Sequence, residues 1–225
     1  MNDPGSWASK HLAYDFSDAE LLNRALTHKS YSAANNERLE FLGDSVLGYV
    51  IAETLYRQEA SSDEGSLTRL RALLVRGETL AELGRDIGLG KVMRLGSGEQ
   101  RAGDHQRDSI LADGMEALFG AVLLDGGLEA SRSVILHLYA RRLEELPSPE
   151  TLKDPKTRLQ EALQAVGLRL PAYSLEQESG PPHARHFAVS CSIPGRDIRT
   201  DGQGASRRAA EQDAAAKALL LFGND

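Results

Sequence analysis

Three acidic side chains stand in a segment whose other residues are largely apolar, NERLEFLGDSVLGYV (residues 36–50). Leucine and valine recur there at helical spacing, and Glu37, Glu40 and Asp44 follow at i, i+3 and i+7, so a helix would place these acids on one stripe. Acids on one stripe repel each other at neutral pH, and the segment offers only Arg38 against them. The pattern indicates either an acidic surface or a site at which a cation rests against the helix.

A second acidic pair lies in another apolar segment, SILADGMEALFGAV (residues 109–122), where Asp113 and Glu116 are at i and i+3. If the two helices pack together, these acids could converge with Glu40 and Asp44, and four carboxylates do not stay ionised side by side without a cation. Oxygen ligands without histidine or cysteine favour a hard ion such as Mg²⁺, which supports phosphoryl chemistry. Spacing alone leaves two ordinary solvated faces as an alternative, because it does not show that the helices meet.

The elements that must position these acids are helices. Up to about residue 146 the chain shows apolar residues at three- and four-residue spacing, divided by glycine and polar clusters. We therefore predict an all-α domain over residues 1–146. Its helical segments are AELLNRALTH, RLEFLGDSVLGYVIAETLYR, LTRLRALLVRGETLAELGRDIG, RDSILADGMEALFGAVLLDGG and LEASRSVILHLYARRLEEL.

The remainder of the chain changes character after a proline-containing linker, which we assign to residues 147–154. A helix begins at an Asp-Pro cap and ends at Gly167, three short alternating stretches follow, and an Ala-rich helix capped by Ser206 closes the chain. The predicted order over residues 155–225 is α-β-β-β-α, a small α+β domain.

The composition limits the classes of function. The net charge of −7 gives no overall basic signal, so a polyanion would have to be bound by a local patch. The single cysteine fits a reducing compartment, no apolar run is long enough for a membrane helix, and the N-terminus does not read as a signal peptide. We expect a cytoplasmic protein with no membrane contact.

Several motifs resemble those of bacterial ribonuclease III. ERLEFLGDSVL (37–47) is similar to the family's signature, and THKSY (27–31), EGSLTRLRALLV (64–75) and DSILADGMEALFGAVLLDGG (108–127) match its nuclease domain in the same order. The last 70 residues resemble a double-stranded RNA-binding domain, as in that family. The resemblance covers essentially the whole chain and implies an all-helical nuclease domain followed by an RNA-binding domain.

The resemblance also implies roles for individual acids. It implies a metal cluster of four carboxylates, which are Glu40, Asp44, Asp113 and Glu116. Among these, Glu116 matches the acid most directly tied to metal binding and catalysis, and Asp44 matches a carboxylate needed in the same site. Glu37 and Glu64 match supporting acids near the cleft.

The activity implied by the resemblance is Mg²⁺-dependent hydrolysis of both strands of double-stranded RNA, without a small-molecule cofactor. Products would carry 5′-phosphate and 3′-hydroxyl ends, and substrates would be ribosomal RNA precursors and messenger RNA hairpins. A homodimer would place two acidic clusters along one cleft, with Phe41 packing into the partner subunit. An ordinary core position for Phe41 is the alternative.

Three regions of the C-terminal domain are predicted to contact RNA, because duplex RNA is read by shape through 2′-hydroxyl and phosphate contacts. They are one face of the first helix, the loop between the first two strands, and the N-terminus of the last helix, where a phosphate meets the helix dipole and two guanidinium groups. The residues are Thr157, Gln160, Glu161, His183, Ser206, Arg207 and Arg208.

Two other readings stay open at this point. The first is a non-catalytic protein that binds double-stranded RNA and kept the fold, which the presence of all four acids disfavours. The second is an all-α metal phosphohydrolase acting on small phosphate esters, which the additional C-terminal domain disfavours.

Overall fold

The computed structural model describes residues 3–181 and 184–223. Its contacts divide the chain into two compact units, Met1–Pro147 and Ser148–Asp225. The first unit is helical and the second has the order α-β-β-β-α, which confirms the predicted fold class. No helix in the described part of the chain is both long enough and apolar enough to span a membrane.

The first unit consists of helices joined by turns and loops. They are α1 (Pro4–Leu12), α2 (Ala19–Ala25), α3 (Glu37–Gln58), α4 (Glu64–Val75), α5 (Gly77–Asp86), α6 (Ser97–Ala102) and α7 (Asp108–Glu144). Aspartates begin three of these helices by accepting backbone N–H bonds with their side chains: Asp3 for α1, Asp18 for α2 and Asp63 for α4. Helix α1 was not predicted, although Asp3 followed by Pro4 is a typical helix start.

One predicted helical segment differs in continuity from the structure. The segment that begins at Leu67 was predicted as one helix, but Arg76 is extended (φ −67°, ψ 151°) and separates α4 from α5. The Thr79 hydroxyl donates a hydrogen bond to the Leu73 carbonyl at 2.8 Å and so secures this corner. Helix α7 is interrupted at Gly127, the residue at which two predicted helical segments meet, and its φ of 79° suits a residue without a Cβ.

Helices α3 and α7 form the centre of the first unit, and both bury apolar side chains. The largest of these in α7 include Leu111, Phe119 and Tyr139, and α3 contributes Leu47, Ile51 and Leu55. The two backbones approach closely where glycines face each other. A Cβ on Gly43 would lie 1.7 Å from the Glu116 carbonyl oxygen, and one on Gly120 would lie 2.2 Å from that of Leu39.

The second unit packs two helices on one face of an antiparallel sheet. Its elements are α8 (Pro155–Ala165), β1 (Ala172–Ser179), β2 (His186–Ser192), β3 (Arg199–Gly204) and α9 (Arg207–Phe222), with strand order β1-β2-β3. In register, Cys191 pairs with Tyr173 on one side and with Thr200 on the other. The core joins Leu159 and Leu163 of α8 to alanines of α9 and to Cys191 and Ile193.

Candidate functional site

The acidic residues of α3 and α7 meet at the glycine crossing. Gly43 lies between Glu40 and Asp44 in sequence, and its missing side chain lets the α7 backbone approach at Glu116. This close approach brings the two acidic stripes to the same place, which spacing within either helix could not show. The two helices therefore pack together as the predicted convergence of their acids requires.

Three of the four carboxylates, Glu40, Asp113 and Glu116, have a raised pKa, and burial is the largest cause at each. Burial is the main cause at Glu116, and the charges of Asp44, Glu40 and Asp113 add to it, so the pKa of Glu116 rises to about 7. Burial likewise raises the pKa of Glu40, followed by the charges of Asp113 and Glu37. A cation bound beside these carboxylates would favour their ionised forms and so release the protons that the raised pKa values retain.

Lys29 is a basic residue at this cluster to which the sequence analysis assigned no role. Its Nζ lies 3.2 Å from Oε1 of Glu37, and its charge lowers the pKa of Glu40 and Asp113 against the raising effect of burial. The charge of His28 acts on Asp113 in the same direction. Both residues belong to THKSY (27–31), a motif that resembles one of the ribonuclease III family. Sequence spacing could not show that this motif lies beside the acids of α3 and α7.

Backbone hydrogen bonds hold the segment that carries Lys29 beside the start of α3. The Asn36 N–H donates to the Thr27 carbonyl at 2.9 Å, and the His28 N–H donates to the Arg94 carbonyl at 3.0 Å. The Ser30 hydroxyl accepts a bond from the Gly96 N–H at 2.9 Å. Lys29 is therefore placed next to the acids by main-chain geometry and not only by its ion pair.

The donor set suits a hard divalent cation, because all four side chains offer carboxylate oxygen. Within residues 3–181 and 184–223, however, no three carboxylate, imidazole or thiol side chains converge closely enough as they stand to hold a metal ion. Coordination by Glu40, Asp44, Asp113 and Glu116 would require their carboxylates to rotate toward one point.

The other acids and Phe41 lie at different positions. Glu37 stands at the edge of the cluster with Lys29. Glu64 is exposed in the first turn of α4, where the Thr68 hydroxyl donates to it at 3.3 Å. Its charge is not among the causes that shift the pKa of the three acids Glu40, Asp113 and Glu116. Phe41 is 78% exposed, which excludes the alternative of an ordinary core position within this chain.

The predicted RNA-contacting residues of the second unit are exposed where the structure describes them. Thr157, Gln160 and Glu161 stand on the outer face of α8. Glu161 also accepts an ion pair from Lys153 at 2.8 Å. His183 lies outside the described residues.

At the N-terminus of α9 the predicted phosphate site is already partly engaged within the chain. The Ser206 hydroxyl caps the helix by accepting the Ala209 N–H at 3.2 Å, as its position predicts. Arg207 and Arg208 are exposed and pair with the carboxylates of Glu211 and Asp154, at 3.0 and 3.7 Å. Glu211 was missed by the sequence analysis, although its i+4 spacing from Arg207 is the ordinary signal for such a pair.

Comparisons with known proteins agree with both units. A family model described as Ribonuclease-III-like matches residues 18–143, and one described as Double-stranded RNA binding motif matches residues 155–221. The chain is 52% identical to Ribonuclease 3 of Vibrio vulnificus (strain YJ016) over 224 residues, covering 100% of both chains. It is 50% identical to Ribonuclease 3 of Pseudomonas fluorescens (strain SBW25), covering 95% of this chain and 93% of that protein.

Solved structures of the nuclease domain of ribonuclease III from Campylobacter jejuni are similar to the first unit. One matches with a TM-score of 0.61 and 37% identity, covering 65% of this chain and 100% of that domain. A second, described for flexibility in a region involved in dimer formation, matches with a TM-score of 0.60 and 39% identity, covering 61% and 97%.

Proposed function

Since this chain belongs to the ribonuclease III family and is an endoribonuclease of that type, we propose that it is a Mg²⁺-dependent enzyme that hydrolyses both strands of double-stranded RNA. Its products carry 5′-phosphate and 3′-hydroxyl ends. The natural substrates we propose are structured ribosomal RNA precursors and messenger RNA hairpins, encountered in the cytoplasm. The family model for double-stranded RNA binding supports the class of substrate.

The observation that carries the proposal is the electrostatic coupling of Glu116 to Asp44, Glu40 and Asp113 at the crossing of α3 and α7. Such a cluster is stable at neutral pH when protons or a cation offset its charge. We assign Glu40, Asp44, Asp113 and Glu116 as the residues that hold Mg²⁺. The ion, when bound, supplies a water of lowered pKa and neutralises charge on the phosphate.

The chain's own residues prepare this site in two ways. The glycine crossing holds the acids of the two helices at a fixed separation, and burial of Glu116 raises its pKa so that it can give up a proton near neutrality. Lys29, held at the edge of the cluster, offsets part of the repulsion among the acids. Asp44 and Glu116 are the acids to which we assign catalysis, with Glu37 and Glu64 in support.

The second unit is proposed to hold the duplex. Residues 155–225 contain nine lysines and arginines against eight aspartates and glutamates, so its overall charge is close to neutral. Recognition therefore depends on a local arrangement of side chains, consistent with reading the shape of the duplex. We assign Thr157, Gln160, Glu161, His183, Ser206, Arg207 and Arg208 to this surface.

We further propose a homodimer, in which each subunit cuts one strand. Exposed apolar side chains on the first unit support this: Phe41 is 78% exposed, and Leu124 of α7 lines the same surface depression and is 58% exposed. Dimer formation is a described property of the Campylobacter jejuni nuclease domain, which is similar to this unit.

The test is cleavage of a long uniform RNA duplex by the full chain, with Mg²⁺, with Ca²⁺ and after the substitution Glu116→Ala. We expect short 5′-phosphorylated duplexes with Mg²⁺ only, and loss of cleavage by a factor of about 10³ or more in the variant, in which the metal site lacks a ligand. RNA binding should persist in the variant. Glu20→Ala, which removes an exposed glutamate from α2, is the matched control and should cut normally.

Two results would overturn the proposal. Binding of the duplex without cutting by the wild-type chain would make it an RNA-binding module. Cleavage by Glu116→Ala at the wild-type rate would show that the acidic cluster is not the active site.

A further inference from the structure

One carboxylate in the second unit forms ion pairs with two basic side chains that belong to different helices. Oε2 of Glu211 lies 2.6 Å from Nζ of Lys156 in α8, and its Oε1 lies 3.0 Å from Nε of Arg207 at the start of α9. Arg207 is a residue to which we assign RNA contact, and Lys156 is next to Thr157, another such residue. The ion pairs therefore lie on the surface proposed to meet RNA.

The carboxylate is the most enclosed member of this trio. The Glu211 side chain is 13% exposed, whereas those of Lys156 and Arg207 are 35% and 60% exposed. Lys156 is also fixed by the ring of Tyr173, whose centroid lies 4.6 Å from its Nζ. Hydrogen bonding from Lys156, then from Arg207, holds the pKa of Glu211 below its ordinary range, so the carboxylate is ionised at neutral pH.

A second carboxylate, that of Asp154, pairs with the neighbouring arginine, but it also stabilises the fold. Asp154 lies 3.7 Å from Arg208. It also caps α8 by accepting the Lys156 N–H at 2.8 Å, and it bonds the side-chain amide of Gln212. A substitution of Asp154 would remove a helix cap together with the charge. Glu211 caps neither α8 nor α9, so a substitution there removes the charge and leaves the caps of both helices in place.

A phosphate that reaches these cations meets a negative charge already bound to them. Phosphate and carboxylate oxygens make the same charge-assisted hydrogen bonds to lysine and arginine, so they compete for the same donors. When a phosphate displaces a carboxylate of the protein, no counterion is released to solvent. The affinity for RNA then depends less on the salt concentration.

We propose that Glu211 sets the RNA affinity of this unit: it keeps Lys156 and Arg207 in internal ion pairs that a phosphate of the duplex must displace. Lys156 is then a further RNA-contacting residue, and Glu211 is a positioning residue that weakens binding. This inference rests on the proposed binding of double-stranded RNA.

The test uses the full chain in EDTA, so that nothing is cut, with a labelled uniform RNA duplex of about 16 base pairs. Glu211→Gln keeps the side-chain length and an acceptor oxygen but removes the charge. We expect the dissociation constant to fall by about three- to tenfold at low salt, because the substitution releases two cations, Lys156 and Arg207, for the phosphates of the duplex. The plot of log affinity against log salt should steepen by about one phosphate contact.

Glu176→Gln is the matched control, because it removes the same charge from another ion-paired carboxylate of the same unit. Glu176 accepts the Ser190 hydroxyl at 2.6 Å and pairs with Arg199 at 3.0 Å. The residue after Arg199 in β3, Thr200, bonds the Ala214 carbonyl of α9, so Arg199 and Glu176 lie on the sheet face away from the helices. This control should change the affinity by less than about twofold.

A second substitution tests the inference independently of how Glu211→Gln folds. Lys156→Met should weaken binding by about threefold or more and reduce the gain from Glu211→Gln in the double variant. Lys217→Met removes a cation paired with Asp213 at 2.8 Å, farther along α9, and should bind as the wild type does.

The outcomes distinguish failure of the proposed RNA binding from failure of the role assigned to Glu211. A wild-type chain that does not bind the duplex contradicts the proposed function itself. Wild-type binding with Glu211→Gln equal or weaker at an unchanged salt slope, or with Lys156→Met unaltered, overturns the inference and leaves the proposed function standing.

Discussion

At the scale of single residues, Glu116 combines burial with three neighbouring carboxylates. Its pKa rises to about 7 from an ordinary value of 4.5, so the folded chain binds a proton there that the unfolded chain releases. The stabilisation from that proton is complete below about pH 4.5 and is lost as the pH rises through about 7. Without a metal, the site therefore costs stability at alkaline pH, as sites built for charge commonly do.

Glu116→Gln, which imitates the protonated side chain, should stabilise the metal-free chain in a pH-dependent way. We expect an increase in the free energy of unfolding of about 1–2 kcal/mol at pH 8, allowing for solvent screening, and almost none near pH 4.5. The single tryptophan, Trp7, reports on the first unit because it is buried and its Nε1 donates to the Ile87 carbonyl at 2.9 Å.

The measurement is denaturant unfolding in EDTA, followed by tryptophan fluorescence at several pH values. Glu20→Gln, at an exposed position in α2, should show no such trend. A stability difference for Glu116→Gln that is the same at pH 4.5 and pH 8 would contradict the assigned cause.

At the scale of elements, the crossing of α3 and α7 decides where the acids stand. Gly43 and Gly120 have no Cβ, so each helix approaches the other's backbone at a carbonyl. A helix interior normally disfavours glycine by about 1 kcal/mol relative to alanine. The close approach of the two backbones explains why glycine occupies these two helical positions, which the helical pattern alone does not explain.

Gly43→Ala should force the helices apart, because its Cβ would lie 1.7 Å from the Glu116 carbonyl oxygen. We expect a loss of at least about 2 kcal/mol in the free energy of unfolding and a strong loss of cleavage, since the two acidic stripes separate. Gly48→Ala in the same helix meets nothing within 4 Å and should stabilise the chain by about 0.5–1 kcal/mol.

Both variants are compared by tryptophan-monitored unfolding and by cleavage of the same duplex. If Gly43→Ala were as stable and as active as Gly48→Ala, the close crossing would not be what positions the acids.

At the scale of the whole molecule, the exposed apolar side chains of the first unit bear on the proposed homodimer. Phe41 follows Glu40 directly, so the surface that carries Phe41 and the acidic stripe belong to the same turns of α3. A dimer formed there would join assembly to catalysis, because displacing Phe41 would disturb the helix that carries two of the acids.

Phe41→Ser should weaken dimerisation by at least about tenfold, since a twofold interface loses the same aromatic contact twice. Molar mass measured by light scattering across a dilution series gives the dissociation constant. Leu220→Ser, at a position 71% exposed in the second unit, should leave it unchanged. A wild-type chain that stays monomeric at all concentrations would contradict the proposed homodimer.

The sequence by itself determined most of the elements and which of them carry acidic side chains. Helical periodicity, Asp and Ser caps and strand alternation are local properties, so they predicted the helices of the first unit other than α1 and α6, and the α-β-β-β-α order of the second unit. The family motifs singled out Glu40, Asp44, Asp113 and Glu116, and in the structure the charges of the other three act on the pKa of Glu116. The corner at Arg76 was missed because a break between two helices of similar periodicity leaves no change in the apolar pattern.

Tertiary structure alone decided what those side chains meet. Glu40 and Glu116 are separated by many residues, and their coupling exists because two glycines allow two helix backbones to touch. The placement of Lys29 beside the acids, and of Glu211 between Lys156 and Arg207, likewise depends on loops and helices from distant parts of the chain. Charge interactions follow distance in space, and sequence spacing measures that distance only within one element.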